Sequence, residues 1–294
     1  MVFEEIIINQ TIQIYATPLL TLFFKLITYF GHPLPWFLLG AWLFWLGKEK
    51  KSFTIMSLVL MSSFFAGLLK QIFLKPRPEG IGLIIETGYS MPSGHATLAG
   101  TIAAYAWLSK KISKNLKYLI VTLALLTGIS RIYLGVHFVS DVLAGLLIGL
   151  VIGWFIFKLE TKITKMEFHI SKIQEEALIV FFFVMVIIFD LFVPAEYYGA
   201  YALFGYFAGY AIYRHTDLEE CLTRAQTRTQ EILALGGGTI LLGIIGGSAY
   251  LLTEGLVSQV LFFITGLFVT LIWPLVISKT VLKREAHKAK KKRK

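Results

Sequence analysis

Ser130-Arg131-Ile132-Tyr133-Leu134-Gly135-Val136-His137-Phe138-Val139-Ser140-Asp141 lies where one apolar run, 117–134, gives way to the next, 138–157. A guanidinium, an imidazole and a carboxylate thus fall in one turn between two hydrophobic segments. His137 and Asp141 have an i, i+4 spacing and share a face on a helix. A carboxylate there can keep one imidazole nitrogen protonated and leave the other free to attack, the orienting logic of a catalytic triad applied to a histidine nucleophile. Arg131, across the Leu-Gly break, can return to clamp phosphoryl oxygens. The same spacing also describes a His–Asp pair capping a helix at a membrane interface, so this stretch alone leaves both readings open.

Working outward, the chain has 294 residues, 56% hydrophobic and 16% charged, with a mean hydropathy of +0.71. A soluble domain carries about a quarter charged residues, so the fold class is all-α, a polytopic membrane protein. Apolar segments near 16–31, 33–47, 53–73, 94–109, 117–134, 138–157, 176–194, 197–213, 233–252 and 258–278 read as ten spans. Residues 3–14 read as an amphipathic helix on the surface before the first of them. Most of the Lys and Arg residues sit in the connections around Lys48, Lys110, Lys158 and Arg214 and in the tail. The positive-inside rule makes these cytoplasmic, with both termini on that side. Lys70, Lys75, Arg77 and Arg131 fall at the opposite face, against the usual bias. Lys25, within the first span, reads as structural.

The net charge of +10 comes largely from the tail. Beside a membrane helix, a basic run marks the cytoplasmic face and touches anionic lipid, so no nucleic-acid partner is expected. The single cysteine, Cys221, excludes a disulfide framework and reads as a reduced thiol. Glu4 and Glu5 stand where a signal peptide would be positive.

Two further stretches carry chemistry. Pro92-Ser93-Gly94-His95 precedes the apolar run from Ala96 to Trp107. Pro, Ser and Gly at a helix start leave free N–H groups that bind phosphate, and His95 would face the same anion as general acid. An ordinary N-cap with an incidental histidine is the plainer reading. Lys70 and Arg77 bracket the exit of the third span, stiffened by Pro76 and Pro78. They suit a point charge and a forked contact to phosphate, or simple snorkelling. The three stretches share one face and supply complementary roles: charge neutralisation, nucleophile and acid. The set holds one carboxylate, Asp141, with Glu79 and Glu86 as neighbours only, so neither a metal site nor a cofactor is expected.

Lys70-x6-Arg77-Pro78, Pro92-Ser93-Gly94-His95 and Ser130-Arg131-x5-His137-x3-Asp141 resemble the three signature motifs of the type 2 phosphatidic acid phosphatase superfamily, in order and at every position. That superfamily shares its site with vanadium haloperoxidases and glucose-6-phosphatase. The resemblance covers roughly residues 10–160, and Thr28 and Gly31 also look like the family's bacterial members. It implies that His137 forms a phosphohistidine, Asp141 orients it and His95 is the acid. Lys70, Arg77 and Arg131 would bind phosphate, helped by Ser93 and the Gly94 amide. It further implies a six-helix core with the site at the outer or lumenal face.

The chain accordingly divides into a catalytic core at 1–160, a four-helix membrane extension at 174–280 and a basic cytoplasmic tail at 281–294. The expected partners are the bilayer and a membrane lipid substrate: a polyprenyl diphosphate such as the undecaprenyl one, phosphatidylglycerophosphate, phosphatidic acid, a sphingoid-base phosphate or a lipid A phosphate. Phosphotransfer to another acceptor, and lipid transport by the added helices, are the competing functions. The expected location is a bacterial cytoplasmic membrane with the site outside, or the endoplasmic reticulum membrane; Lys291-Lys292 in a lysine run is weak support for retrieval to the latter. Outside the core, Asp190 reads as a solvated cap. The pair Gly243 and Gly247, with Gly236-Gly237-Gly238, reads as close helix packing. The Tyr197–Tyr213 segment reads as an interfacial and packing helix, and the Asn9-Gln10-Thr11 sequon is discounted as cytoplasmic.

Overall fold

The structure is a computed structural model describing residues 2–165, 177, 184, 199–214, 228–251 and 256–278. Among these, every regular element is a helix. Seven helices make up the first part: α1 (Val2–Gln13), α2 (Pro18–Ile27, extended by a 3-10 turn, Thr28–Gly31), α3 (Pro33–Trp45), α4 (Glu49–Phe73), α5 (Gly94–Leu108), α6 (Lys114–Tyr133) and α7 (Val139–Lys165). Three more follow, Gly199–Tyr213, Arg228–Leu251 and Leu256–Leu267, the last continued by a π-turn, Phe268–Ile272. The stretches Glu49–Phe73, Lys114–Tyr133, Val139–Lys162 and Leu256–Ser278 are long and apolar enough to cross a membrane. The expected span at 176–194, apart from residues 177 and 184, lies outside the described residues, as do Asp190, Cys221 and the basic tail.

The chain packs as two compact units. One comprises Met1–Trp36 with Ser57–Phe168, the other Phe37–Met56 with His169–Lys294. The second unit therefore draws on the α3–α4 turn as well as on the C-terminal helices. Within it Tyr206 Oη meets Ser52 Oγ at 2.6 Å, Tyr213 Oη donates to Glu49 at 2.7 Å and Trp45 Nε1 donates to Val269 O at 2.9 Å. The tyrosines at 201, 206 and 213 are buried, so this helix packs as expected. Close approach is made by Gly205 and Gly266, where an added methyl would strike the facing backbone. Gly243 and Gly247, expected to do this, face open space among the described residues, whereas Gly238 lies against Trp45 and Trp273. Small-residue spacing marks where a close approach is possible; which helix lies opposite decides whether it happens.

In the first unit α5 and α7 are the tightest pair. Gly145, Gly149 and Gly153 form a smooth strip along α7. A methyl at Gly145 would come within 2.7 Å of Ser93 O, and methyls at Gly149 and Gly153 would press harder still on Thr97 O and Thr101 O. This contact seats the start of α5 beside the start of α7, where the Ser93 N–H donates to Asp141 O at 3.0 Å. The opposite face of α7 shows Leu143, Leu147 and Val151, each more than half exposed, as a lipid-facing side requires. Ala99, Ala103 and Ala124, with Phe30, fill the space between α5, α6 and the end of the 3-10 turn.

Two expectations about the N-terminus are corrected. First, α1 does not lie at the end of the bundle opposite the motif loops. Its Glu5, Asn9 and Gln13, on one stripe, bond to residues 132–140 and to the 75–81 loop. Ile7, Ile8 and Ile14 point outward and are exposed. The helix turns Glu5, Asn9 and Gln13, with Ile12 beside them, into the protein, so it shares the face of the site. Second, residues 16–31 do not form one unbroken α-helix of spanning length. Helix α2 has ten residues and its 3-10 turn four, about 21 Å in all against about 30 Å of hydrocarbon. It starts beside Tyr133 (Thr21 Oγ1 to Tyr133 Oη, 2.8 Å) and ends with Gly31 against Thr127 and the His95 backbone. Pro33 and Pro35 bias the chain away from continuing one straight helix.

Candidate active site

The loop bearing His137 is shaped by how α6 ends. Leu134 caps the helix, Gly135 takes φ +72°, and two reversed bonds close the end: Gly135 N–H to Ile132 O at 3.0 Å and Val136 N–H to Arg131 O at 3.3 Å. This is a Schellman termination, which needs a left-handed residue where Gly135 stands. A methyl there would also collide with Ile81 O. The reversal turns His137 back toward Arg131. Helix α7 then starts, with Asp141 Oδ2 accepting the Phe138 N–H at 2.8 Å, as a carboxylate in the first helical turn does. Asp141 is thus a helix cap as well as a neighbour of His137, so the two sequence readings of this pair coexist.

His137 is 1% exposed and Asp141 fully buried; Nδ1 lies 3.6 Å from Asp141 Oδ2, an ion-pair distance longer than a hydrogen bond. On the other side of the ring, Nε2 is 3.1 Å from Arg77 Nη1. Arginine only donates, so Nε2 must be the acceptor and the ring proton belongs on Nδ1, facing Asp141. Burial, together with Arg131, Arg77 and Lys70, holds the His137 pKa well below the ordinary histidine range. It is therefore a neutral imidazole with a lone pair aimed at a guanidinium.

The cations surround this lone pair. Arg77 is anchored by bonds to Thr87 O, Gly88 O and Val136 O, at 2.8 to 3.0 Å. Arg131, 1% exposed, donates to Thr28 Oγ1 at 3.0 Å and to Glu86, and its Nε has no partner. Lys70, near the end of α4, is buried, and its charge acts on both His95 and His137. Ser93 caps α5, its side chain accepting from Ala96 N–H at 3.4 Å. Gly94, the first helical residue, has no atom within 4 Å of where a Cβ would stand, so this helix start opens on free space. His95 packs its ring 5.5 Å from that of His32 and interacts electrostatically with Arg131, His137 and Lys70. The residues singled out on the three stretches therefore gather around one place.

Three participants escaped the sequence reading, and a fourth, Lys75, was marked only as a cation on the unexpected face. Glu86, taken as a mere neighbour, pairs with both Arg131 and Arg77, at 3.4 Å in the latter case. The two guanidiniums outweigh its burial and lower its pKa. Its carboxylate bridges the two guanidiniums, contacts that a phosphate could make as well. Lys75 lies 3.0 Å from Asp141 Oδ1, Glu5 lies 3.0 Å from Lys75, and Asn9 Nδ2 donates to Ile132 O at 2.8 Å and to His137 O at 3.0 Å. Buried and so committed, Asn9 is not a free sequon. The signal available for Lys75 was its position among the few cations on the non-basic face; for Glu5 and Asn9 only the i, i+4 stripe on α1 could have pointed to them.

Residues 51–165 match the family described as the PAP2 superfamily. Phosphatidylglycerophosphatase B of Bacillus subtilis is 33% identical over 138 residues, 44% of this chain and 67% of that protein. Lipid A 4'-phosphatase of Porphyromonas gingivalis is 29% identical over 40% of this chain and 55% of its own length. Undecaprenyl-diphosphatase BcrC of Bacillus subtilis is 30% identical over 41% of this chain and 64% of its own. All three are similar to less than half of the present chain, and the family match at residues 51–165 holds the three motif stretches. With a curated relative matched over two thirds of its length and the family's own model falling on the helices that carry the motifs, the chain belongs to the PAP2 superfamily of membrane lipid phosphatases, hydrolases of phosphoric esters.

Proposed function

We propose that the protein removes a phosphate from a lipid phosphomonoester or diphosphate through a phosphohistidine on His137. The observation that carries this is the His137 Nε2–Arg77 contact at 3.1 Å, which aims a neutral nitrogen lone pair into a cradle of cations. The lipid phosphate would displace the Glu86 carboxylate and lie against Arg77, Arg131 and Lys70, with Ser93 and the Gly94 N–H at the start of α5. The Nε2 lone pair attacks phosphorus in line as the ester oxygen departs, and that oxygen takes a proton from His95. Asp141 holds the Nδ1 proton and balances the charge growing on the ring. Water then attacks phosphorus, the P–N bond breaks, and His137 and inorganic phosphate are released. No step calls on a metal.

The lysines at the other end of α5 to α7, among them Lys110, Lys117 and Lys158, support a cytoplasmic assignment for that end and a non-cytoplasmic site. A bacterial cytoplasmic membrane fits this arrangement. The three relatives' names share a phosphate on a long apolar anchor, and we infer that class of substrate. A panel of phosphatidic acid, phosphatidylglycerophosphate, lipid A and polyprenyl diphosphate, assayed for phosphate release with His137→Ala as blank, tests the reading. Turnover should vanish in His137→Ala, fall about 100- to 10,000-fold in Asp141→Asn, resist EDTA and yield to vanadate. Undiminished turnover in His137→Ala rejects it.

A further inference from the structure

Behind Asp141, on the side away from the phosphate cradle, lies a second charged chain. Lys75 Nζ is 3.0 Å from Asp141 Oδ1 and donates to Ser140 Oγ at 2.6 Å and to Glu5 Oε2 at 3.0 Å. Its ammonium stands 4.5 Å from the centre of the Phe138 ring. Glu5 is itself tied to the start of α7: Oε1 accepts the Ser140 N–H at 3.1 Å and Oε2 the Ser140 hydroxyl at 3.1 Å. The residues come from three separate parts of the chain: α1, the loop after α4, and the first turn of α7. Four groups alternate in sign or donor role, Glu5, Lys75, Asp141 and His137, along one line ending at the nucleophile.

We propose that Lys75 and Glu5 are positioning residues for the phosphoryl-transfer step, setting the orientation and effective charge of Asp141 and through it the reactivity of His137. This rests on the reading of His137 as the nucleophile. Asp141 Oδ2 is committed to the Phe138 N–H, so a carboxylate held only there could swing about its own Cβ–Cγ bond. The Lys75 ammonium, an ion-pair partner 3.0 Å from Oδ1, opposes that swing electrostatically and favours the orientation that faces Nδ1. A lone ammonium so close would also cancel much of the negative charge that should steady a positive imidazole ring. Glu5 offsets it, so that the trio keeps one net negative charge. Helix α1 is thereby part of the machinery: its stripe delivers Glu5 to Lys75, Asn9 to the carbonyl of His137 and Gln13 to the Tyr133 carbonyl at 2.8 Å.

The charged groups facing His137 come from every neighbouring element: Lys70 from α4, Arg77 and Glu86 from the loop, His95 from α5, Arg131 from α6 and Asp141 from α7. Changing Lys75 or Glu5 leaves all of these in place and alters the charge behind Asp141 together with the contacts to Ser140. The two changes then act in opposite senses. Lys75→Met leaves Asp141 more negative, favours protonated His137, and moves the acid limb of kcat/KM up. Glu5→Gln leaves Lys75 uncompensated, disfavours protonated His137, and moves the same limb down. Each shift should be about half a pH unit or more, with kcat reduced and KM changed little.

The experiment is the pH dependence of phosphate release from dioctanoyl phosphatidic acid by the full chain in detergent, for wild type, Glu5→Gln, Lys75→Met, Lys75→Arg and the Glu5→Gln/Lys75→Met pair, with melting temperature measured alongside. Opposite shifts in the two single variants, near wild-type behaviour in Lys75→Arg and an intermediate limb in the double variant support the proposal. Limbs that stay put, or move the same way, overturn it, and if Lys75→Met does not fold, an unmoved limb in Glu5→Gln does so alone. Should His137→Ala turn over at the wild-type rate, the phosphohistidine reading itself fails, which separates the two outcomes.

Discussion

Arg77 Nη1 points at His137 Nε2 from 3.1 Å, and two donors cannot share that space. The contact therefore demands an unprotonated Nε2. It links the first motif stretch to the third across some sixty residues of chain and assigns the ring its tautomer.

The pH dependence follows from that contact. Burial and three cations lower the His137 pKa well below its usual range, so the reactive neutral form persists into acid. The acid limb of kcat/KM should fall below about pH 6.5, the ordinary histidine value. Arg77→Gln removes one of those cations and should raise the limb while weakening phosphate binding. Stopped assays across pH 4 to 9 check both, and an acid limb above the ordinary histidine value in wild type would contradict the geometry.

Under the proposed function, the Glu86 carboxylate on Arg77 and Arg131 competes with the substrate phosphate. Its lowered pKa keeps it ionised across the working range. Glu86→Gln should therefore tighten inhibition by vanadate about threefold or more, with the gap closing only in strong acid, where the wild-type carboxyl is also neutral. The sign for stability runs with it: a depressed folded pKa means that the Arg131–Glu86 pair stabilises the fold above the free carboxylate pKa and is lost as pH falls through the lower, folded value. Vanadate titrations at neutral and acidic pH, with thermal melts beside them, measure both.

The glycine strip on α7 should be intolerant. Gly149→Leu forces α7 away from Thr97 and Thr101 and with it parts the Ser93–Asp141 backbone bond of 3.0 Å. A loss of about 1–3 kcal/mol or more is expected from overpacking, with kcat falling as the two helix starts separate. Leu147→Ala, on the lipid-facing side of the same helix, should change activity little. Thermal unfolding in detergent and phosphate release distinguish the two.

Composition and charge pattern alone determined that this is a helical membrane chain, because a hydrocarbon solvent forces both the length and the apolarity of a span. The motif residues were legible for a related reason: a buried or misplaced charge is costly, so Lys70, Arg77, Arg131, His95, His137 and Asp141 stand out against apolar neighbours. The tertiary structure decided what touches what. Glu86, Glu5 and Asn9 are ordinary polar residues in polar or terminal stretches, and nothing local distinguishes them from a solvated surface; Lys75 stood out only as a cation on the unexpected face. Their partners lie far away in sequence, as with Asn9 and the carbonyl of His137. The placement of α1 was misread for the same reason: its spacing lines up Glu5, Asn9 and Gln13, but only packing against the motif loops establishes that this stripe faces inward.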